Sequence, residues 1–195
     1  MHGIGNDFII IDAIRQYVNH TELLAAQWCD RHFGIGADGL ILALPSARAD
    51  AEMRIFNSDG SEPEMCGNGI RCLAKFLYDS GLCQKLAMTV QTAAGPIPLQ
   101  LDAQGGRKRL VTVNMGRPRF APEEIPVASG SNALTLQAEG RPLRFFCVSM
   151  GNPHAVTFDL FPDDETFAAL AVQAAEFHIG SPGEHRVALQ LRAQP

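Results

Sequence analysis

The tetrapeptide Cys66-Gly67-Asn68-Gly69 stands directly before Ile70, Leu73, Ala74 and Leu77, whose i, i+3, i+4, i+7 spacing marks one apolar face of a helix. A cysteine at such a helix start meets the positive end of the macrodipole and unpaired N–H groups, which favour its thiolate. A thiol held there is equipped to exchange a proton with a carbon acid. The two glycines let a ligand carboxylate approach the backbone, and the free amides of the first turn make an anion site. Asn6, Asn57, Asn68 and Asn152 each lie in a glycine-containing loop, where a neutral amide can both donate to and accept from a zwitterionic ligand. Asparagine beside glycine is also a common turn former; four such loops together with Cys66 tip the balance toward a site. His154 follows Gly151-Asn152-Pro153 and is expected to face the same cleft, where an imidazole biases the protonation of a nearby thiol. Cys29, Cys72, Cys83 and Cys147 read as packed structural thiols.

Three other patterns carry no chemistry. Gly34-Ile35-Gly36-Ala37-Asp38-Gly39 matches the dinucleotide fingerprint by letter, but that fingerprint needs a strand before it and a helix after it, and here the order is reversed. The segment reads as a turn that needs positive φ. Asn57-Ser58-Asp59-Gly60 imitates a calcium loop, yet with Gly60 at the sixth position Ile55 falls first and Cys66 twelfth, where carboxylates belong. The six histidines form no zinc-spaced cluster with cysteine, so no metal is expected.

The elements that must position the cysteine follow from periodicity. Residues 8–12 are a short β-branched run that reads as a buried strand, and residues 23–32 a helix opened by Thr21 and Glu22. Residues 40–44 and the alternation around Met53 and Ile55 are two more strands, and the helix after Cys66 is expected to stop near Gly81. Residues 88–115 read as strand throughout, with turns at Ala94-Gly95 and Gly105-Gly106. Residues 116–132, with three prolines and two glycines, form the clearest linker-like shift. Beyond it a hairpin around Glu139-Gly140, a strand over residues 155–158 and a helix marked by Phe167, Leu170, Ala171, Ala174 and Phe177 are expected. The loop Gly151-Asn152-Pro153-His154 echoes Gly5-Asn6-Asp7-Phe8 at an offset of 146 residues, a repeat of the kind that fixes an architecture.

At 195 residues with 46% hydrophobic and 19% charged side chains, the chain is long enough to bury about two thirds of its unfolded surface without disulfide or metal staples. Five cysteines without a C-x-x-C pair favour a reducing, cytoplasmic location. A net charge of −5 argues against nucleic acid or an anionic membrane as partner, and no apolar run is long enough to span a bilayer.

Five segments taken in order resemble diaminopimelate epimerases: Met1-His2-Gly3-Ile4-Gly5-Asn6-Asp7-Phe8, Arg31-His32-Phe33-Gly34-Ile35-Gly36-Ala37-Asp38-Gly39, Arg54-Ile55-Phe56-Asn57-Ser58-Asp59-Gly60-Ser61, Cys66-Gly67-Asn68-Gly69-Ile70-Arg71-Cys72 and Val148-Ser149-Met150-Gly151-Asn152-Pro153-His154. The resemblance implies an α+β fold of two similar domains, each a curved sheet around a central helix. It implies an isomerase of lysine biosynthesis that converts LL- to meso-diaminopimelate with two cysteines and no cofactor. Inverting a stereocentre through a planar carbanion needs a base on one face and an acid on the other, and two thiols serve in either role. By resemblance Cys66 is the first catalytic cysteine, Asn6, Asn57, Gly67, Asn68 and Asn152 match substrate-binding positions, and His154 matches a position that tunes the thiols. Residues 1–116 would be the N-terminal domain and residues 117–195 an incomplete second domain. The implied partners are a small amino-acid substrate and, for full-length members, a second copy of the chain.

The family's second-half Glu-Arg pair and its Cys-Gly-Thr/Ser-Gly turn have no counterpart in these residues, and the repeat offset places the mate of Cys66 beyond Pro195. The expectation is a truncated or frame-shifted epimerase, impaired alone, whose partial second domain leaves an apolar face that self-associates. Two alternatives stand beside it: a noncatalytic amino-acid-binding remnant, and one half of a split enzyme.

Overall fold

Strand begins within two residues of the chain start, where a two-residue turn, Ile4 and Gly5 at φ 56° and 85°, joins β1 (His2–Gly3) to β2 (Asn6–Asp12). Positive φ at both central residues matches the twist of the flanking strands, and it brings Asn6 directly opposite Gly3. A computed structural model describes residues 1–102, 110–125, 127, 130–138, 141–150, 153–158 and 188–191. The chain divides into two compact units, Met1–Met115 and Gly116–Pro195.

In the first unit β1 and β2 are followed by α1 (Thr21–Trp28), β3 (Gly39–Leu44), β4 (Ala51–Asn57), α2 (Gly67–Asp79), β5 (Ala87–Thr92), β6 (Gly95–Leu101) and β7 (Val111–Val113). The strands lie in one sheet in sequence order. Two neighbouring pairs, β2 with β3 and β4 with β5, are parallel, and the other pairs are antiparallel. Parallel neighbours need a crossover rather than a hairpin, and α1 and α2 are those crossovers.

Residue parity on the inner strands sends side chains to two layers. Phe8, Ile41, Ala43, Met53 and Ile55 join Ile70, Leu73, Ala74 and Leu77 of α2 in one core, together with Val90 and Leu99 from β5 and β6. Ile11, Leu40, Leu42 and Phe56 face the other way and pack on Ala25 and Cys29 of α1. Seven strands at about 4.8 Å span far more than the roughly 10 Å width of a helix, yet β1 and β7, at the two edges of the sheet, both reach α2, as do β2, β3, β4 and β6. The sheet therefore curls around that helix, and the class is α+β.

The second unit holds β8 (Ala133–Ala138), β9 (Arg141–Ser149), β10 (Pro153–Thr157) and β11 (Ala188–Leu191), in the order β11-β10-β9-β8. The expected hairpin is present, with β8 and β9 antiparallel from Ala133↔Phe146 to Ala138↔Arg141. Strand β11, parallel to β10, falls in a segment whose sequence pattern gives no sign of it. The turns at Gly105-Gly106 and Glu139-Gly140 and the helix expected around Phe167–Phe177 lie outside the described residues.

Two expectations need correction. The first helix ends at Trp28, not at residue 32, because the Asp30 carboxylate accepts from the His32 and Phe33 amides at 2.7 and 2.8 Å and draws the backbone into a turn. The described residues of the proline-rich segment 116–132 belong to the second unit and are not a linker. Arg119 bridges to Ser149, and Ile125 and Val127 are buried in the core of the second unit beside Leu136, Phe145 and Cys147.

Candidate active site

Cys66 is the N-cap of α2, extended at φ −139° and ψ 114°, and its Sγ accepts from the Gly69 amide at 3.4 Å while its carbonyl takes the first helical hydrogen bond from Ile70 at 2.9 Å. The sulfur thus takes the place of the side-chain oxygen that caps most helices. The other end of α2 is closed by Ser80, whose hydroxyl donates to the Phe76 carbonyl at 2.6 Å, and by Gly81 at φ 72°, a helix stop of the left-handed type. With both ends capped and six residues buried, the helix holds its cap in place.

Three of the expected residues meet at this cap. The Cys66 thiol donates to Asn6 Oδ1 at 3.8 Å, and Asn68 Nδ2 donates to the same oxygen at 3.4 Å. Asn68 Oδ1 in turn accepts from the Arg71 guanidinium. Gly67, the first residue of α2, presents an amide that no helical carbonyl can reach. Asn57 ends β4 opposite Gly39, which also pairs with Phe8, so it shares this end of the sheet. Its side-chain amide donates to Ser61 Oγ at 2.9 Å within its own turn and makes no hydrogen bond to the Cys66 group.

Behind Asn6 lies a charged cluster that sequence reasoning did not assign to the site. Asp38 Oδ2 accepts from Asn6 Nδ2 and from the Asp7 amide, both at 2.9 Å. Arg31 joins the two carboxylates, 2.7 Å from Asp7 and 2.9 Å from Asp38. The Arg31 guanidinium holds the Asp7 carboxyl down at about 2, below the ordinary carboxylate value, and its own charged form is favoured in return. Asp38 sits in the segment read as a turn, and the one available signal was the recurrence of Asp7, Arg31 and Asp38 inside two of the matched motifs.

His154 belongs to the second unit, on β10 between Val148 and Ala188. Burial pushes its imidazole below the ordinary histidine value and favours the neutral form. Asn152 lies outside the described residues. Cys29, Cys72 and Cys147 are buried, and desolvation pushes each thiol up, which suits packing and not reactivity. Among the described residues no three histidine, cysteine or acidic side chains gather as metal ligands, and no helix is long and apolar enough to cross a membrane.

The sequence model of the diaminopimelate epimerase family matches residues 1–121, a span that contains Asn6, Asn57, Cys66 and Asn68. The chain belongs to that family. It is 54% identical over 128 residues to diaminopimelate epimerase of Pelotomaculum thermopropionicum, a match covering 65% of this chain and 46% of that protein. Against the same enzyme of Caldanaerobacter subterraneus subsp. tengcongensis it is 55% identical over 129 residues, 66% of this chain and 46% of the relative; against that of Methanococcus maripaludis it is 52% identical, with 66% and 47% covered. The matched part is thus just under half the length of these family members. Among solved structures, a hydroxyproline epimerase from Agrobacterium vitis superposes with a TM-score of 0.61 at 19% identity, over 85% of this chain and 51% of that one. A PhzF-family phenazine biosynthesis protein from Bacillus anthracis gives 0.53 at 23% identity, over 80% and 52%. At such identities the likeness is one of fold.

Proposed function

We propose that this chain carries one half of the proton-transfer machinery of a cytoplasmic, cofactor-independent amino-acid epimerase that interconverts LL- and meso-diaminopimelate, an isomerase step in lysine biosynthesis. The observation that carries the proposal is Cys66: a thiol capping a central helix, within hydrogen-bond reach of Asn6, inside the stretch that is about half identical to diaminopimelate epimerases. A substrate α-carboxylate would lie against the first-turn amides at Gly67 and Asn68, whose dipole end stabilises the charge that develops when the α-proton leaves. Asn6, Asn57 and Asn68 supply neutral donors and acceptors for the substrate's ammonium and carboxylate groups, with Asn152 completing the set. His154, favoured as the neutral imidazole, tunes the thiol chemistry.

Inversion also needs a thiol on the opposite face of the carbanion. Cys29, Cys72 and Cys147 are buried, and Cys83 lies past the far end of the 13-residue helix α2, about 20 Å along its axis from Cys66. None of these four thiols is therefore placed to oppose Cys66, and a noncatalytic amino-acid-binding role and one half of a split enzyme stand as the alternatives that the exchange test separates.

The test is α-hydrogen exchange. The 195-residue chain is incubated with LL-diaminopimelate in D2O, alone and together with the C-terminal half of a relative. Deuterium at the inverted α-carbon in the complemented sample, lost in Cys66→Ala, is the expected result. Binding of substrate without exchange in either sample assigns the chain to noncatalytic recognition, and exchange that survives Cys66→Ala removes the thiol from the mechanism.

A further inference from the structure

The side chains around Cys66 form a hydrogen-bond chain whose direction is set at both ends. Arg71 can only donate, so the Asn68 oxygen faces it and the Asn68 nitrogen faces Asn6. Both Asp38 oxygens already accept, from the Asp7 amide and from Arg31, so the Asn6 nitrogen faces Asp38 at 2.9 Å and the Asn6 oxygen is turned toward Cys66. Neither amide can flip without placing two donors or two acceptors together. Asp38 is itself fixed, one oxygen on the Asp7 amide and the other on Arg31.

The geometry points to Asp38 as a positioning residue: by locking the Asn6 amide with its oxygen toward Cys66, it gives the Cys66 S–H an acceptor in the resting site. This role deepens the epimerase function proposed for the site and rests on it for its catalytic meaning. The Cys66 sulfur is caught between two opposed demands. The Gly69 amide donates to it at 3.4 Å and favours the thiolate, whereas the Asn6 oxygen at 3.8 Å is satisfied only by S–H and repels a thiolate. A substrate group that drew the Asn6 oxygen away would remove the second demand and leave the helix amide to stabilise the anion, so substrate arrival would itself arm the base. Among the described residues, the charged and titratable groups on the elements that form this cap are Arg71 and Cys72 on its own helix, the Met1 amino group, His2 on β1 opposite Asp7, and Asp7, Arg31 and Asp38 behind Asn6.

The experiment needs no substrate, so its outcome is independent of the exchange assay that tests the function. The 195-residue chain is alkylated with iodoacetamide across a pH series, and modification of the Cys66 peptide is followed by mass spectrometry. Asp38→Asn frees the Asn6 amide to flip and turn its nitrogen to the sulfur. Asp7→Asn removes a charge of the same sign from the same Arg31 cluster and leaves the Asn6 side chain held. The Cys66 alkylation midpoint is expected to fall by about half a pH unit or more in Asp38→Asn relative to Asp7→Asn, with about a threefold faster reaction at neutral pH. Asn6→Ala is expected to lower the midpoint similarly, and the double variant Asn6→Ala/Asp38→Asn to add nothing further, since both act through one hydrogen bond. Equal midpoints in Asp38→Asn and Asp7→Asn, or fully additive shifts in the double variant, overturn the assignment. Should Asp38→Asn fail to fold by circular dichroism, Asn6→Ala decides alone: an unchanged midpoint there overturns it.

Discussion

The two helices of the first unit are crossovers of the same kind, each joining a parallel strand pair, yet they begin in opposite ways. α1 starts from His20 in the left-handed region at φ 52°, without a side-chain cap, and buries only Thr21 and Ala25. α2 starts from an extended Cys66 whose sulfur caps the first turn, and it buries six residues under a curled sheet. One helix end is strained and idle; the other is relaxed and occupied by a reactive group. Proton transfer tolerates little positional error, and the protein sets its thiol on the helix that is held from all sides.

The largest break in that contrast should come from Cys66→Ser. Serine is a good N-cap, so α2 and the melt should be preserved while α-hydrogen exchange in the complemented assay drops by at least about 10²-fold. A serine variant that retains exchange would make the cap structural and α2 no different in kind from α1. Stability separates the helices next. Leu73, fully buried on α2, should cost about 2–5 kcal/mol on replacement by alanine. Leu24 on α1 is only partly buried against its layer, and its alanine variant should cost about 1 kcal/mol. Urea denaturation of the two variants measures the difference, and equal costs would erase it.

A smaller effect concerns the loop after α1. Because Arg31 depresses the Asp7 carboxyl to about 2 in the folded chain, from a reference of 3.8, the bridge contributes stability above pH 3.8 that is lost as pH falls toward 2. Carboxyl carbon NMR should show Asp7 titrating near 2 in the wild type and higher in Arg31→Ala, with the acid dependence of the melt correspondingly flattened. The smallest change sharpens α1 instead of breaking it. Asn tolerates the left-handed region and caps helices well, so His20→Asn should raise stability by about 0.5–1 kcal/mol in the same denaturation experiment.

What could be read from the chain before its structure follows the same division. α2 announces itself through the stripe of Ile70, Leu73, Ala74 and Leu77 and the glycines beside Cys66, because local periodicity and helix burial coincide there. The end of α1 does not, since Asp30 competes for the backbone amides of His32 and Phe33, a contest that helix periodicity cannot register. Ile125 and Val127 are two apolar residues among prolines and glycines, with no period to betray that they are core. The cluster of Arg31 with Asp7 and Asp38 escapes notice for a different reason: its members lie 24 and 7 residues from Arg31 and meet only once β2 and β3 have paired. Cys66, Asn6 and Asn68 were legible as types of residue; that Asn6 turns its oxygen to the thiol depends on partners that no local pattern reveals.

Between β4 and β5 the sheet is joined by just two register pairs, Ala51↔Val90 and Glu52↔Gln91, reinforced by Asp50, whose amide donates to the Thr89 carbonyl and whose side chain accepts from the Thr89 amide and pairs with Lys85. This is a seam, and α2 lies across it, packing on Ile41 and Ile55 to one side and on Val90 and Leu99 to the other. The helix is thus a clasp as well as a pedestal. Amide hydrogen exchange that opened β5 to β7 as a cooperative unit would loosen the clasp, and with it the one turn of backbone that aims the thiol, so the lifetime of the seam sets an upper bound on how long the site stays assembled.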